Sequence, residues 1–79
     1  MKLEDVKVGM WVADANGVYQ VMSEYDSFHK WYVCKEIIWD DGDSGEYHLE
    51  KYNTYITKEE MKKCEYYGVG EMDNGKWST

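Results

Sequence analysis

The sequence predicts a mostly β domain of the α+β kind, a small antiparallel sheet of about five strands followed by one short C-terminal helix. Three observations carry this. Apolar residues alternate at period two in four separate segments, an Asn-Gly pair stands between the first two, and the period changes once, at Thr57-Lys58-Glu59-Glu60. With 79 residues, one domain is expected over 1–79, with the sheet in 6–56, the helix in 57–67 and a tail in 68–79. A chain this short buries only roughly 60–65% of its unfolded surface, so its core has to be rich. Four Trp, eight Tyr and one Phe can supply it, each ring system burying about 150–250 Å².

Val6-Lys7-Val8-Gly9-Met10-Trp11-Val12-Ala13 reads as the first extended segment. Asp14-Ala15-Asn16-Gly17 follows, and Asn-Gly marks a tight turn. Val18 to Met22 is then the returning strand of a hairpin, with Tyr19 and Val21 on one face and Gln20 on the other. Ser23 to Lys30 is polar and loop-like, with Phe28 as its single apolar anchor. From Trp31 to Trp39 runs the longest strand candidate: Trp31, Val33, Ile37 and Trp39 share a face on which Lys35 is the exception. Tyr32, Cys34 and Ile38 occupy the other, the pattern of a strand covered on both sides. In Glu46 to Tyr52, Tyr47 and Leu49 alternate with Glu46, His48 and Glu50, as in a half-buried strand.

At Thr57 the pattern becomes helical. Thr57 and Glu60 have the spacing of a capping box, each side chain satisfying the other's backbone amide. A helix from about Lys58 to Tyr66 is expected, with Met61 and Cys64 on its apolar stripe and Gly68 and Gly70 ending it. Lys62 and Lys63 near its C-terminal end suit the helix dipole. In the tail, Asn74-Gly75 offers a small turn that would let Trp77 tuck back.

Sixteen acids face nine lysines and no arginine, for a net charge of −7. Such a charge repels phosphate, and the residue best suited to bidentate contacts with phosphate or guanine is missing. Composition therefore argues against direct nucleic-acid binding and for a protein partner with a basic surface. Basicity carried by lysine alone, with many Tyr, Asn and Ile, points to an AT-rich coding genome, such as that of a low-GC bacterium or its phage. Met1-Lys2-Leu3-Glu4-Asp5 does not read as a signal peptide, and no stretch approaches the 18 or so apolar residues that span a bilayer. A cytoplasmic protein with Cys34 and Cys64 as free, buried thiols is expected.

Val8-Gly9-Met10-Trp11-Val12, Gly17-Val18-Tyr19-Gln20-Val21, Ile37-Ile38-Trp39-Asp40-Asp41-Gly42 and Tyr47-His48-Leu49 together resemble the strand grammar of SH3-like small barrels of the Tudor and KOW type. The resemblance spans residues 6 to 56, roughly two-thirds of the chain. It implies a barrel-like closure of the sheet and transfers no function. The long loop Ser23 to Lys30 departs from the grammar, as does acidity where KOW-type RNA binders are basic.

WDDGDSGEYHL, residues 39 to 49, concentrates the charge. Asp40, Asp41, Asp43 and Glu46 do not fit a calcium loop: starting at Asp41 puts Gly45 at the fifth position and Tyr52 at the twelfth, and starting at Asp40 is no better. The bland reading is a solvated turn in which Gly42 and Gly45 take left-handed backbone. The functional reading is electrostatic, because Glu36 to Glu50 holds six acids and no lysine. An acidic face of this kind can occupy a site that normally grips phosphates, as small inhibitors of nucleic-acid enzymes do.

His29 and His48 lack the paired spacing of structural zinc sites with Cys34 or Cys64. No nucleophilic triad or glycine-rich phosphate loop is legible, so no catalytic residue, metal or cofactor is assigned. The expected function is a non-catalytic protein-binding module, an inhibitor or modulator whose contact residues are Trp39, Asp40, Asp41, Asp43 and Glu46. The alternative is a Tudor-like reader of a Lys- or Arg-bearing peptide through an aromatic cage, with Trp39 beside Asp40 and Asp41.

Overall fold

A computed structural model describes residues 1–39 and 47–69. A short 3-10 turn, Leu3–Asp5, leads into five strands and one helix: β1 (Met10–Asp14), β2 (Gly17–Val21), β3 (Tyr32–Trp39), β4 (Tyr47–Ile56), α1 (Lys58–Lys63) and β5 (Glu65–Val69). All strand pairs are antiparallel, and the order across the sheet is β4-β3-β2-β1-β5. The domain is mostly β with one short helix, as its alternation predicts. Among the described residues no helix is long and apolar enough to cross a membrane.

The hairpin turn stands where Asn-Gly places it, but a different group holds it. Asp14 pairs with Gly17, and its Oδ1 accepts from the amides of Asn16 (2.8 Å) and Gly17 (3.2 Å). Neither Asn16 nor Gly17 is left-handed, so the aspartate side chain shapes the turn in place of a left-handed glycine. At the other end of the hairpin Gly9 does take positive φ, +95°. Its amide donates to the Val21 carbonyl and its own carbonyl accepts from Gln20 Nε2. Gln20, expected on the face away from Tyr19 and Val21, is there and fully buried.

Alternation along the strands feeds two cores. Val12, Tyr19, Val21, Tyr32, Cys34 and Ile56 gather on one face with Met61 and Cys64. Trp11, one residue from Val12 and so on the opposite face, packs with Ile37 and Tyr47, and Val18 and Leu49 lie against them. The double coverage expected of β3 is thus divided along its length. Tyr32 and Cys34 serve the larger core near its start, and Ile37 serves the smaller one near its end.

Lys35, the exception on its face, has a structural reason. Lys35 pairs with Asn53 while Ile37 pairs with Leu49, so β4 carries extra residues at Glu50 to Tyr52. A bulge of this kind turns carbonyls out of the ladder. Lys35 Nζ donates to two of them, those of Lys51 (2.9 Å) and Glu50 (3.4 Å). The ammonium replaces the missing strand.

The capping box forms as its spacing predicts: Glu60 N donates to Thr57 Oγ1 (3.2 Å) and Thr57 N to Glu60 Oε1 (3.0 Å). The helix, expected to reach Tyr66 and the 57–67 range, ends instead at Lys63. Cys64 is extended and buried, and Glu65–Val69, read from sequence as helix end and start of the tail, is the fifth strand. The free edge of β1 offers a full ladder of hydrogen bonds, which outweighs the weak propensity of one further helical turn. Between Trp11 and Val12 the β1–β5 register shifts around Tyr67, and Gly68 takes φ +134° beside it. The Met1 ammonium donates to the carbonyls of Lys62 (2.9 Å) and Cys64 (3.2 Å), closing the helix end.

Replacing Lys35 by Met keeps the apolar stem and removes only the ammonium. The variant should lose about 1 kcal/mol of stability in urea unfolding, the scale of a lost hydrogen bond to a charged group in a partly wet site. Equal stability would show that water serves the bulge as well.

Candidate binding surface

Of the residues the sequence singles out for a contact, Trp39 ends β3, whereas Asp40, Asp41, Asp43 and Glu46 lie outside the described residues, as do Gly42, Gly45, the Asn74-Gly75 turn and Trp77. Trp39 is 40% exposed. Its ring meets the buried Trp11 ring edge-to-face (6.0 Å between centroids, 76° between planes) and Tyr47 in the same manner (6.2 Å, 73°). Trp11 and Tyr47 close the triangle at 4.8 Å. A large ring is therefore braced from beneath while much of it faces outward.

A second aromatic surface is built on the loop before β3, where Phe28 departs from expectation. It anchors nothing, being 84% exposed. Asp26 and Trp31 form a bridge that closes the loop, with Asp26 N donating to Trp31 O (2.8 Å) and Lys30 N to Asp26 O (2.6 Å). Lys30 takes φ +66° to make the return, a strained position for a residue with a Cβ. Asp26 holds the interior of the loop. Its Oδ1 accepts from the amides of Phe28 (2.9 Å) and His29 (3.1 Å), and its Oδ2 lies 2.7 Å from His29 Nδ1. The imidazole contact, then the amides, hold the Asp26 carboxyl below its ordinary pKa.

The rings continue outward from this clamp. His29 stacks on Trp31 (4.9 Å, 5°), Trp31 on Tyr55 of β4 (4.3 Å, 34°), and Phe28 meets the His29 ring edge-on (4.8 Å). Sequence reading missed this array because it joins a loop to a strand more than twenty residues away. A local signal existed in Asp26-Ser27-Phe28-His29, an aspartate placed to accept from amides two and three residues on.

Both cysteine thiols lie inside the domain. Cys34 is fully buried and its thiol is pushed up to about 12, by burial first and by Cys64 second. Cys64 is raised by burial and then by Asp14, and its thiol donates to the Glu60 carbonyl. Both are free thiols in the larger core. His29 is engaged at the surface by Asp26, and among the described residues no three His, Cys, Asp or Glu side chains are grouped to hold a metal ion. Compared with family models, with curated proteins and with solved structures, the chain matches none.

Two outcomes follow from this geometry. The folded chain keeps the Cys34 proton up to about pH 12, whereas the unfolded chain releases it near the ordinary 9.0. Above pH 9 the folded state thus binds more protons, and stability falls as pH rises, by about 1.4 kcal/mol per unit for this group. Tyr19 and Tyr32, also raised mainly by burial, add to the fall at higher pH. Urea melts at rising alkaline pH should show this slope, reduced in Cys34→Ala; an unchanged slope in that variant would remove the thiol from the account. Separately, Asp26→Ala should speed amide exchange at Phe28 and His29 while core amides stay protected, and uniform exchange would show that the clamp does not order the loop.

Proposed function

We propose that this chain is a non-catalytic protein-binding module, an inhibitor or modulator that docks its acidic, aromatic surface onto a basic, nucleic-acid-binding site of a partner protein. One observation carries the reading: Trp39 is held outward on two buried rings, and the chain runs from it directly into Asp40, Asp41, Asp43 and Glu46. A rigid, partly exposed tryptophan beside charge is the composition of an interface hot spot, with the acids steering approach and the ring supplying contact area. Net charge of −7 supports a basic partner at long range,.

The order of the strands, with a short helix between β4 and β5 and β1 paired on both sides in an open sheet, supports an SH3-like arrangement of the kind seen in Tudor and KOW modules. The cage alternative draws on the same rings, but a cage needs ring faces turned toward an open centre. Here Trp11, Trp39 and Tyr47 close on one another edge-to-face, and the Trp31 ring lies against both His29 and Tyr55. The inhibitor reading asks for no such void. Two free, buried thiols support a reducing compartment such as the cytoplasm,, and lysine-only basicity supports a phage or low-GC bacterial origin.

The test is to capture the partner from the source cell with the full chain and measure affinity from about 50 mM to about 300 mM salt, across which surface charges are progressively screened. Affinity should fall steeply, and more shallowly for Asp41→Asn/Asp43→Asn. Trp39→Ala should cost about 2 kcal/mol or more. Affinity that is flat across this range would end the charge-driven reading.

A further inference from the structure

We propose that the end of the β1–β2 hairpin carries a site for one cationic side chain, the guanidinium or ammonium group of a basic peptide, held by Glu36, Asp14 and the Tyr19 hydroxyl. Tyr19 belongs to the larger core, and Glu36 faces it across the β2–β3 pair. Trp39 is braced on Trp11, in the smaller core on the opposite face. The site therefore stands apart from the binding surface proposed above.

Gly17 leaves the space. It is not left-handed, so its backbone conformation would accept a side chain. What a side chain would take is room: a Cβ on Gly17 would stand 3.0 Å from Glu36 Oε2 and 3.7 Å from Tyr19 Oη. A carboxylate oxygen and a hydroxyl thus border one small opening. Asp14 adjoins it from the neighbouring strand, paired with Gly17 and accepting the Gly17 amide on Oδ1 at 3.2 Å. No bond among the described residues uses its Oδ2.

The polar groups around this opening lack partners. Tyr19 is only 8% exposed, yet its hydroxyl makes no hydrogen bond among the described residues, where a buried hydroxyl ordinarily has one. Burial first, then the charges of Asp14 and Glu36, push its pKa up. It is thus a neutral hydroxyl, able to donate to a carboxylate while accepting from a cation. Glu36 is half-buried and enters no ion pair; those among the described residues join His29 to Asp26 and Lys62 to Glu59. Lys63 lines a hollow with Asp14 and Glu60 but pairs with neither. A carboxylate partly withdrawn from water without a counter-charge is destabilising, and a cation seated beside it offsets that cost. Acceptors spread over three residues suit an ion with several N–H donors.

The experiment follows the amide resonances of the full chain while acetyl-Gly-Arg-Gly-amide, or its lysine or citrulline counterpart, is added to about 50 mM, because a single charged contact binds on the order of millimolar. Saturable shifts are expected at Gly17, Tyr19 and Glu36 with the arginine or the lysine peptide, the tighter of the two identifying the group, and none with neutral citrulline. Glu36→Gln and Tyr19→Phe should each weaken binding about tenfold, the scale of one hydrogen bond to a charged group. Gly17→Ala should weaken it by displacing the Glu36 carboxylate. Glu4→Gln removes the same charge from an exposed position and should change nothing. Thermal melting confirms that each variant is folded. The site is overturned by the absence of saturable shifts with either cationic peptide, by equal binding of the citrulline peptide, or by equal weakening in Glu4→Gln and Glu36→Gln. A folded Tyr19→Phe/Glu36→Gln double variant that binds like the parent would overturn it too. None of these outcomes touches the Trp39 surface, which is tested on a captured partner through Trp39, Asp41 and Asp43.

Discussion

One strand, β1, has to serve two cores at once. Trp11 and Val12 are consecutive and both fully buried, one on each face of the sheet. A slip of one residue would exchange a tryptophan for a valine on both faces together, so the register tolerates no error. The surroundings of β1 follow from this. Gly9 and Gln20 fix one end of the hairpin through the Gly9 backbone, and Asp14 fixes the other through two amides. On the far side β5 completes the ladder, and its irregularity at Tyr67 and Gly68 falls opposite the same Trp11–Val12 step. The crowding of two cores on one dipeptide is absorbed there.

The other half of the sheet is built with more freedom. β3 and β4 are the longest strands, and their pairing is interrupted where Lys35 meets the bulge at Glu50 to Tyr52. An edge strand with a bulge and a lysine is poorly suited to pairing with another chain, since it is neither flat nor free of charge. Association through the β4 edge is thereby discouraged. Exposed rings stand at both ends of this limb: Trp39 at one, and the tilted Trp31–Tyr55 pair with the Phe28 loop at the other.

Legibility from sequence followed the range of the cause. The β1–β2 hairpin, the faces of β3 and the Thr57–Glu60 cap could be read because each depends on residues within a few positions of one another. Lys35 was recognisable as an anomaly but not explicable, since its partners are carbonyls fifteen and sixteen residues on, in a bulge with no sequence mark. The end of α1 was misjudged for the same kind of reason. Nothing near Cys64 forbids another helical turn; the edge of β1, fifty residues earlier, claims Glu65–Val69 for the sheet. Trp39 was singled out by its acidic neighbours, whereas the Phe28 array required the fold to bring Tyr55 against Trp31.

Order at the Phe28 loop is not accounted for by stability. Fixing one residue's backbone costs about 1–2 kcal/mol in conformational entropy, and a Phe28 side chain that stays largely in water recovers little of that through its own burial. The loop is nonetheless specified in detail: a carboxylate accepting from two amides and set against a ring nitrogen, a closing bridge, and a left-handed lysine. A turn that only had to reverse the chain between β2 and β3 would need fewer constraints and could end in polar residues. What these constraints do achieve is a fixed direction for one phenyl ring outside the core. Such order is of the kind that lowers the entropy an association at this loop would cost.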